Sequence, residues 1–83
     1  MPFRLLIDAD VIDTLMRLPV LKRRQYLEFF RRIQEFPANY SELQESDETG
    51  RILDACVFHG AEVRYWTDHA DRHVKILRLI VNE

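Results

Sequence analysis

Between Gly50 and Asn82 the sequence carries three runs dense in Val, Ile, Tyr, Trp, Phe and Leu: GRILDACVFHG, AEVRYWTDH and ADRHVKILRLIVN. Gly50, Gly60 and the polar run Asp68 to Arg72 punctuate them, which marks strands joined by tight connections. A connection of two or three residues reverses a strand but cannot cross over to make a parallel one, so the stretch predicts an antiparallel meander. Everything upstream reads as cover for that sheet.

Within the meander the alternation assigns faces. Ile52, Cys56 and Phe58 share parity with Asp54 as the exception, against Leu53, Ala55 and Val57. Val63 and Tyr65 oppose Glu62, Arg64 and Trp66; then Val74, Ile76, Arg78 and Ile80 alternate with Lys75, Leu77, Leu79 and Val81. Both faces of the first run are fairly apolar, as for a strand inside a sheet.

Ahead of it, FRLLI (Phe3 to Ile7) is a short strand candidate. Asp8 and Asp10 can each cap a helix, Asp13 falls in its first turn, and Val11, Ile12, Leu15 and Met16 mark an apolar face. Pro19 excludes the preceding residue from helical geometry yet suits the start of a new helix, placing a corner near Leu18–Pro19. A second helix follows from Val20 to Glu35, with Tyr26, Phe29, Phe30 and Ile33 as its stripe and Phe36 continuing it. Pro37 ends it, and the polar run Ala38 to Thr49 reads as a loop with room for one helical turn. The order is strand, helix, helix, strand, strand, strand: an α+β chain, β-α-α-β-β-β, with a helical hairpin packed on a small antiparallel sheet. The predicted core joins Leu15, Phe29, Phe30 and Ile33 to Val63, Ile76 and Leu77.

Eighty-three residues make one domain, 1–83. No apolar run approaches the roughly 18 residues that span a bilayer, MPFRLLID lacks the pattern of a signal peptide, and the lone Cys56 has no disulfide partner. The expectation is a cytoplasmic protein without membrane contact. A formal charge of −2 hides a segregation: residues 36–50 carry Glu42, Glu45, Asp47 and Glu48 with no base. A net basic balance, usual in nucleic-acid binders, is missing.

His59, His69 and His73 come late, and His69-x-x-x-His73 with Asp68 and Asp71 has the look of a metal cluster. That spacing converges ligands on a helix, whereas here it lies in a turn, so a solvated turn with no metal and no cofactor is expected. Cys56, in an apolar strand without a catalytic partner, is expected to be a buried inert thiol. Lys22, Arg23, Arg24, Arg31 and Arg32 interleave with Glu28 and Glu35, as on a solvated helix face, the alternative being a nucleic-acid patch. For Arg51, Arg64 and Arg78 two readings stay open. Either they project from one sheet face near Tyr65 and Trp66 and hold phosphate, or Arg64 and Arg78 pair with Glu62, Asp54 or neighbouring acids.

The element order, the helical corner LMRLPVLKRRQYLEFFRRIQEFP, and GR followed by VRYW-TDHADRHVKILRL together resemble the RelE/ParE superfamily of bacterial toxin–antitoxin toxins, the plasmid-stabilisation type, over nearly the whole chain. The resemblance implies the toxin component of a type II system, either a ribosome-dependent mRNA endonuclease of the RelE type or, alternatively, a non-nucleolytic ParE-like gyrase inhibitor or a catalytically lapsed protein-binding member. It implies as partners a small antitoxin from a neighbouring gene and either the ribosome with mRNA or DNA gyrase. Carried over, it points to Arg64, Arg78 and Tyr65 as catalytic and to Arg51 and Lys75 as nucleic-acid-binding. In the family's hairpin pattern Tyr-Arg-x-x-Tyr, the second Tyr falls on Tyr65, but the Arg falls on Glu62 and the first Tyr on Ala61, leaving Arg64 to substitute two positions on. The chain also closes on Val81-Asn82-Glu83 where the family often has a basic tail, and Glu42 to Glu48 stands where the ribonucleases tend to be basic.

Overall fold

A computed structural model of the protein describes residues 3–82. Strand β1 (Arg4–Ile7) leads into helices α1 (Ala9–Met16) and α2 (Val20–Glu35), a short 3-10 turn (Pro37–Asn39), and strands β2 (Leu43–Ser46), β3 (Ile52–Phe58), β4 (Ala61–Asp68) and β5 (His73–Val81). The five strands form one sheet in the order β1-β5-β4-β3-β2. The meander is antiparallel throughout, while β1 pairs parallel to β5 because the helical hairpin supplies the crossover. The predicted α+β arrangement therefore holds, with one addition. Residues 43–46, read from sequence as loop, form an edge strand on β3. Its residues LQES are all exposed, so no apolar alternation marks them.

The helix boundaries follow local chemistry. Asp8 caps α1, its carboxylate accepting from the Asp10 backbone N–H at 3.0 Å. The helix thus starts at Ala9, leaving Asp10 in the first turn and Asp13 beyond it. Pro19 opens α2 as expected, and Arg23 fixes the corner: its Nε donates to Leu15 O at 3.1 Å and its Nη2 to Leu18 O at 3.2 Å. One member of the basic group is thereby a structural clip across α1 and α2, adding donors to carbonyls at the end of α1, where Leu15 O also accepts from the Leu18 N–H.

Val11 and Leu15 of α1 and Tyr26, Phe29, Phe30 and Ile33 of α2 pack on Cys56, Ala61, Val63, Tyr65, Val74, Ile76 and Leu79 of the sheet. Two expected core positions move. Phe36 is 58% exposed, because the chain leaves helical geometry there and the stripe ends at Ile33. Leu77 is replaced by Leu79. Arg64 pairs with Arg78 but Tyr65 pairs with Ile76, so Leu77 is the extra residue of a β-bulge. The bulge switches the parity of β5, sending Val74 and Ile76, then Leu79, toward the helices. No helix among the described residues is long and apolar enough to cross a membrane.

Candidate functional site

The face of the sheet away from the helices is open, and the β4–β5 register sets what it carries. Arg64 lies directly opposite Arg78, and Trp66 opposite Lys75. Without the bulge, Arg78 would point with Ile76 into the core. The predicted residues Arg64, Arg78 and Lys75 therefore share one face, with Glu62 beside them and the exposed apolar Val57, Ile80, Leu43 and Leu6 around them.

Arg64 is held by two carboxylates. Its Nε donates to Glu62 Oε1 at 2.7 Å and its Nη1 to Glu45 Oε2 at 3.2 Å. The hydrogen bond to Glu62, then the charge of Glu45, push the guanidinium pKa above its ordinary value, so it stays charged throughout. Glu45 reaches across from β2, the strand absent from the sequence reading; the same acidic segment thus neutralises the site it borders. Arg78 is exposed and makes no ion pair among the described residues. The geometry contains a part of each reading: Arg64 and Arg78 project from one face, and Arg64 is paired with Glu62 and a neighbouring acid while Arg78 is not.

Arg51 precedes β3 and ends at the other side of this face. Its Nε bonds Asp47 Oδ2 at 2.8 Å, and its guanidinium sits 4.8 Å from the Trp66 ring centroid, within cation–π range. Trp66 in turn meets His73 edge-on, with centroids 5.5 Å apart. The row Arg51–Trp66–His73 lines one end of the face, with Lys75 beside Trp66.

Tyr65 does not join the group. It is fully buried on the helix side, its hydroxyl donating to Pro37 O. Burial first, then the neighbouring charges of Asp54 and Cys56, raise its pKa well above the ordinary phenol value. A phenol so placed cannot orient a ribose or stack on a base at Arg64 and Arg78. The reason is the pleat: consecutive residues of a strand point to opposite faces. The side chain that stands there instead is one the sequence reading offered as a partner of Arg64. Glu62 shares the face of Arg64 and Arg78 and is half-buried, visible in advance only through its parity with Arg64.

Cys56 is 3% exposed, and burial, reinforced by Glu42 and Asp54, pushes its thiol up to about 11, as suits an inert core cysteine. At the β4–β5 turn the ring His69 packs on Phe3 rather than on His73. The carboxylates that gather there are Asp68 and Asp71 with His73, their ligand atoms within 4.8 Å of one another. Arg4 Nη2 fills that group, 2.9 Å from Asp71 Oδ2, which also contacts His73 Nδ1 at 3.0 Å.

No family model matches the chain, and no curated protein matches it. Among solved structures it is similar to a chain of the archaeal RelE–RelB complex from Pyrococcus horikoshii OT3, with a TM-score of 0.80 and 24% sequence identity, covering 98% of this chain and 96% of that one. Agreement of the backbone over almost the whole of both chains, on top of the strand order and helical hairpin described above, shows that this protein has the RelE fold.

Proposed function

We propose that the chain is the toxin component of a type II toxin–antitoxin pair, acting in the cytoplasm, and that its open sheet face cleaves RNA. The observation that carries this is the Arg64–Arg78 pair. The two cations lie directly opposite across the open face, where like charges repel; Glu62 and Glu45 compensate Arg64, while Arg78 makes no ion pair among the described residues. The two arginines form a site for a bridging anion. The name of the similar structure, a RelE–RelB complex, supports a small antitoxin as partner.

In this reading the scissile phosphate sits between Arg64 and Arg78, with Lys75 and Arg51 on the flanking phosphates. Incoming phosphate competes with Glu62 for Arg64 and frees that carboxylate to act as general base. Glu62 takes the proton of the ribose 2′-hydroxyl, whose oxygen bonds to phosphorus. The bond from phosphorus to the 5′-oxygen breaks, and that oxygen takes a proton from water. The products are a 2′,3′-cyclic phosphate and a 5′-hydroxyl. Arg64 and Arg78 meet the charge that builds on the non-bridging oxygens, from rigid strands that need not reorganise.

The test is expression in a bacterial host, scored for growth arrest and for mRNA cut at translating ribosomes. Arg64→Ala and Arg78→Ala should each reduce cleavage by about 10²- to 10³-fold; full activity in both would remove the pair from the mechanism. A second reading is favoured by the two carboxylates that clamp Arg64 and by the net charge of −2. It is a member that works through protein contacts, as a ParE-like gyrase inhibitor or a lapsed nuclease. Glu62→Arg separates the two: it abolishes cleavage if Glu62 is the base, and confers toxicity if the natural protein is lapsed. Inhibition of gyrase supercoiling by the wild type, with no mRNA cut, would favour the gyrase alternative.

A further inference from the structure

A cavity lies away from Arg64 and Arg78, where the chain leaves α2 and passes over the end of the sheet. It encloses about 670 Å³ between Glu35–Asn39, Ser41 and Gln44 on one side and Ile52, Asp54, Trp66, Thr67, His69 and Phe3 on the other. Its lining includes Glu35 and Asp54 and contains no Lys or Arg among the described residues. Asp54 is the acid that breaks the apolar alternation of β3, and it is 8% exposed. Gln44 Nε2 donates to its Oδ1 at 2.9 Å, and no other donor among the described residues bonds this carboxylate. Its second oxygen has no protein donor among the described residues and is not sealed, since no buried side-chain oxygen there lacks a partner, so it is open to a donor that enters the cavity. At the mouth stands Phe36, 58% exposed, with no ring or cation partner among the described residues.

We propose that this cavity binds an arginine side chain presented by an extended segment of a partner polypeptide. The guanidinium seats on the Asp54 carboxylate, whose remaining lone pairs accept a forked donor, and its stem lies against Phe36 and Ile52. Arginine fits better than lysine because its planar, weakly hydrated fork matches a carboxylate and packs on aromatic faces. A polypeptide fits better than a free cation for two reasons. The cavity is larger than one side chain, and Asn39 and Gln44 are among its lining residues. Gln44 also belongs to β2, the free edge of the sheet, whose unpaired backbone groups can take an added strand. The proposal does not depend on RNA cleavage, since none of its residues is Arg64, Arg78 or Glu62.

Trp66, the one tryptophan of the chain, lines the cavity and reports on its occupancy. The purified chain is titrated with acetyl-Leu-Arg-Leu-amide, with its glutamine counterpart and with spermidine, following Trp66 fluorescence. A saturable change with the arginine peptide alone is expected. Asp54→Asn should weaken it by about tenfold or more, since a hydrogen bond to a charged group is lost. Phe36→Ala, at an exposed site, should weaken it while leaving the melting temperature unchanged, and it decides the matter if Asp54→Asn does not fold. Arg64→Ala should bind the peptide as wild type does, whatever its effect on RNA. Equal titration by the glutamine peptide or by spermidine, or no saturable change, overturns the proposal. So does a self-associated wild type that Asp54→Asn renders monomeric, which would give the site to a second copy.

Discussion

Arg64 and Tyr65 are adjacent in sequence and share nothing in environment. One faces solvent between two carboxylates, the other is sealed under α2 with its hydroxyl on Pro37 O. Tyr65→Phe should therefore cost about 1 kcal/mol of stability, the worth of one buried hydrogen bond, and leave RNA cleavage untouched; a drop in cleavage without a drop in stability would return Tyr65 to the mechanism. Asp47 supplies a pH effect. Hydrogen bonds from the Thr49 hydroxyl, then from Arg51, lower its pKa from the ordinary 3.8 to about 2. A carboxylate depressed in the folded state stabilises the fold above its unfolded pKa, and that contribution is lost as pH falls through the folded value. Wild type should accordingly melt above Asp47→Asn at pH 6, with the gap closing between about pH 4 and pH 2. A gap that persists at pH 2 would show that the carboxylate's charge is not the cause.

Among the elements, the β3–β4 hairpin and the β5 bulge set the geometry of the open face. Phe58 pairs with Ala61, leaving His59 and Gly60 as a two-residue turn, both with positive φ (47° and 75°), as a primed hairpin turn requires. A Cβ at Gly60 would meet only Asn82 O at 3.8 Å, so backbone strain rather than crowding decides its effect. Gly60→Ala should cost about 1–2 kcal/mol, read as a lower urea midpoint with unchanged slope; a neutral result would mean the turn relaxes to another type. The bulge at Leu77 has no composition signal. Val, Ile and Leu run on either side of it, so alternation alone puts Leu77 and Leu79 on one face with Lys75 and Val81, whereas the register sends Leu79 and not Leu77 into the core.

For the whole molecule, charge would set the mode of RNA contact in the proposed reading. The chain is net negative, and its acidic segment 42–48 borders the open face. Long-range attraction to a polyanion is therefore weak, and in the proposed reading binding rests on Arg64 and Arg78 at one phosphate and on Lys75 and Arg51 at the two beside it. Three phosphate contacts to a single strand imply a slope of about −2 for log K against log salt. A slope near −5 would bring the solvated arginines of α2, such as Arg24, Arg31 and Arg32, into the interface.

The sequence by itself determined the meander, both helices, their corner at Pro19 and most of the core, because those depend on periodicity, prolines and glycines that act within a few residues. It also put Glu62, Arg64 and Trp66 on the face of β4 opposite Val63 and Tyr65, since parity within one strand is local. Tertiary structure decided the rest. Strand β2 exists because β3 offers it a pairing edge, not because LQES favours a strand. Arg78 joins Arg64 only because the bulge resets register between two strands, an effect of pairing rather than of either sequence. Asp54 looked like a flaw in an alternating strand; only the packing of the 3-10 turn over the sheet places that carboxylate in a cavity.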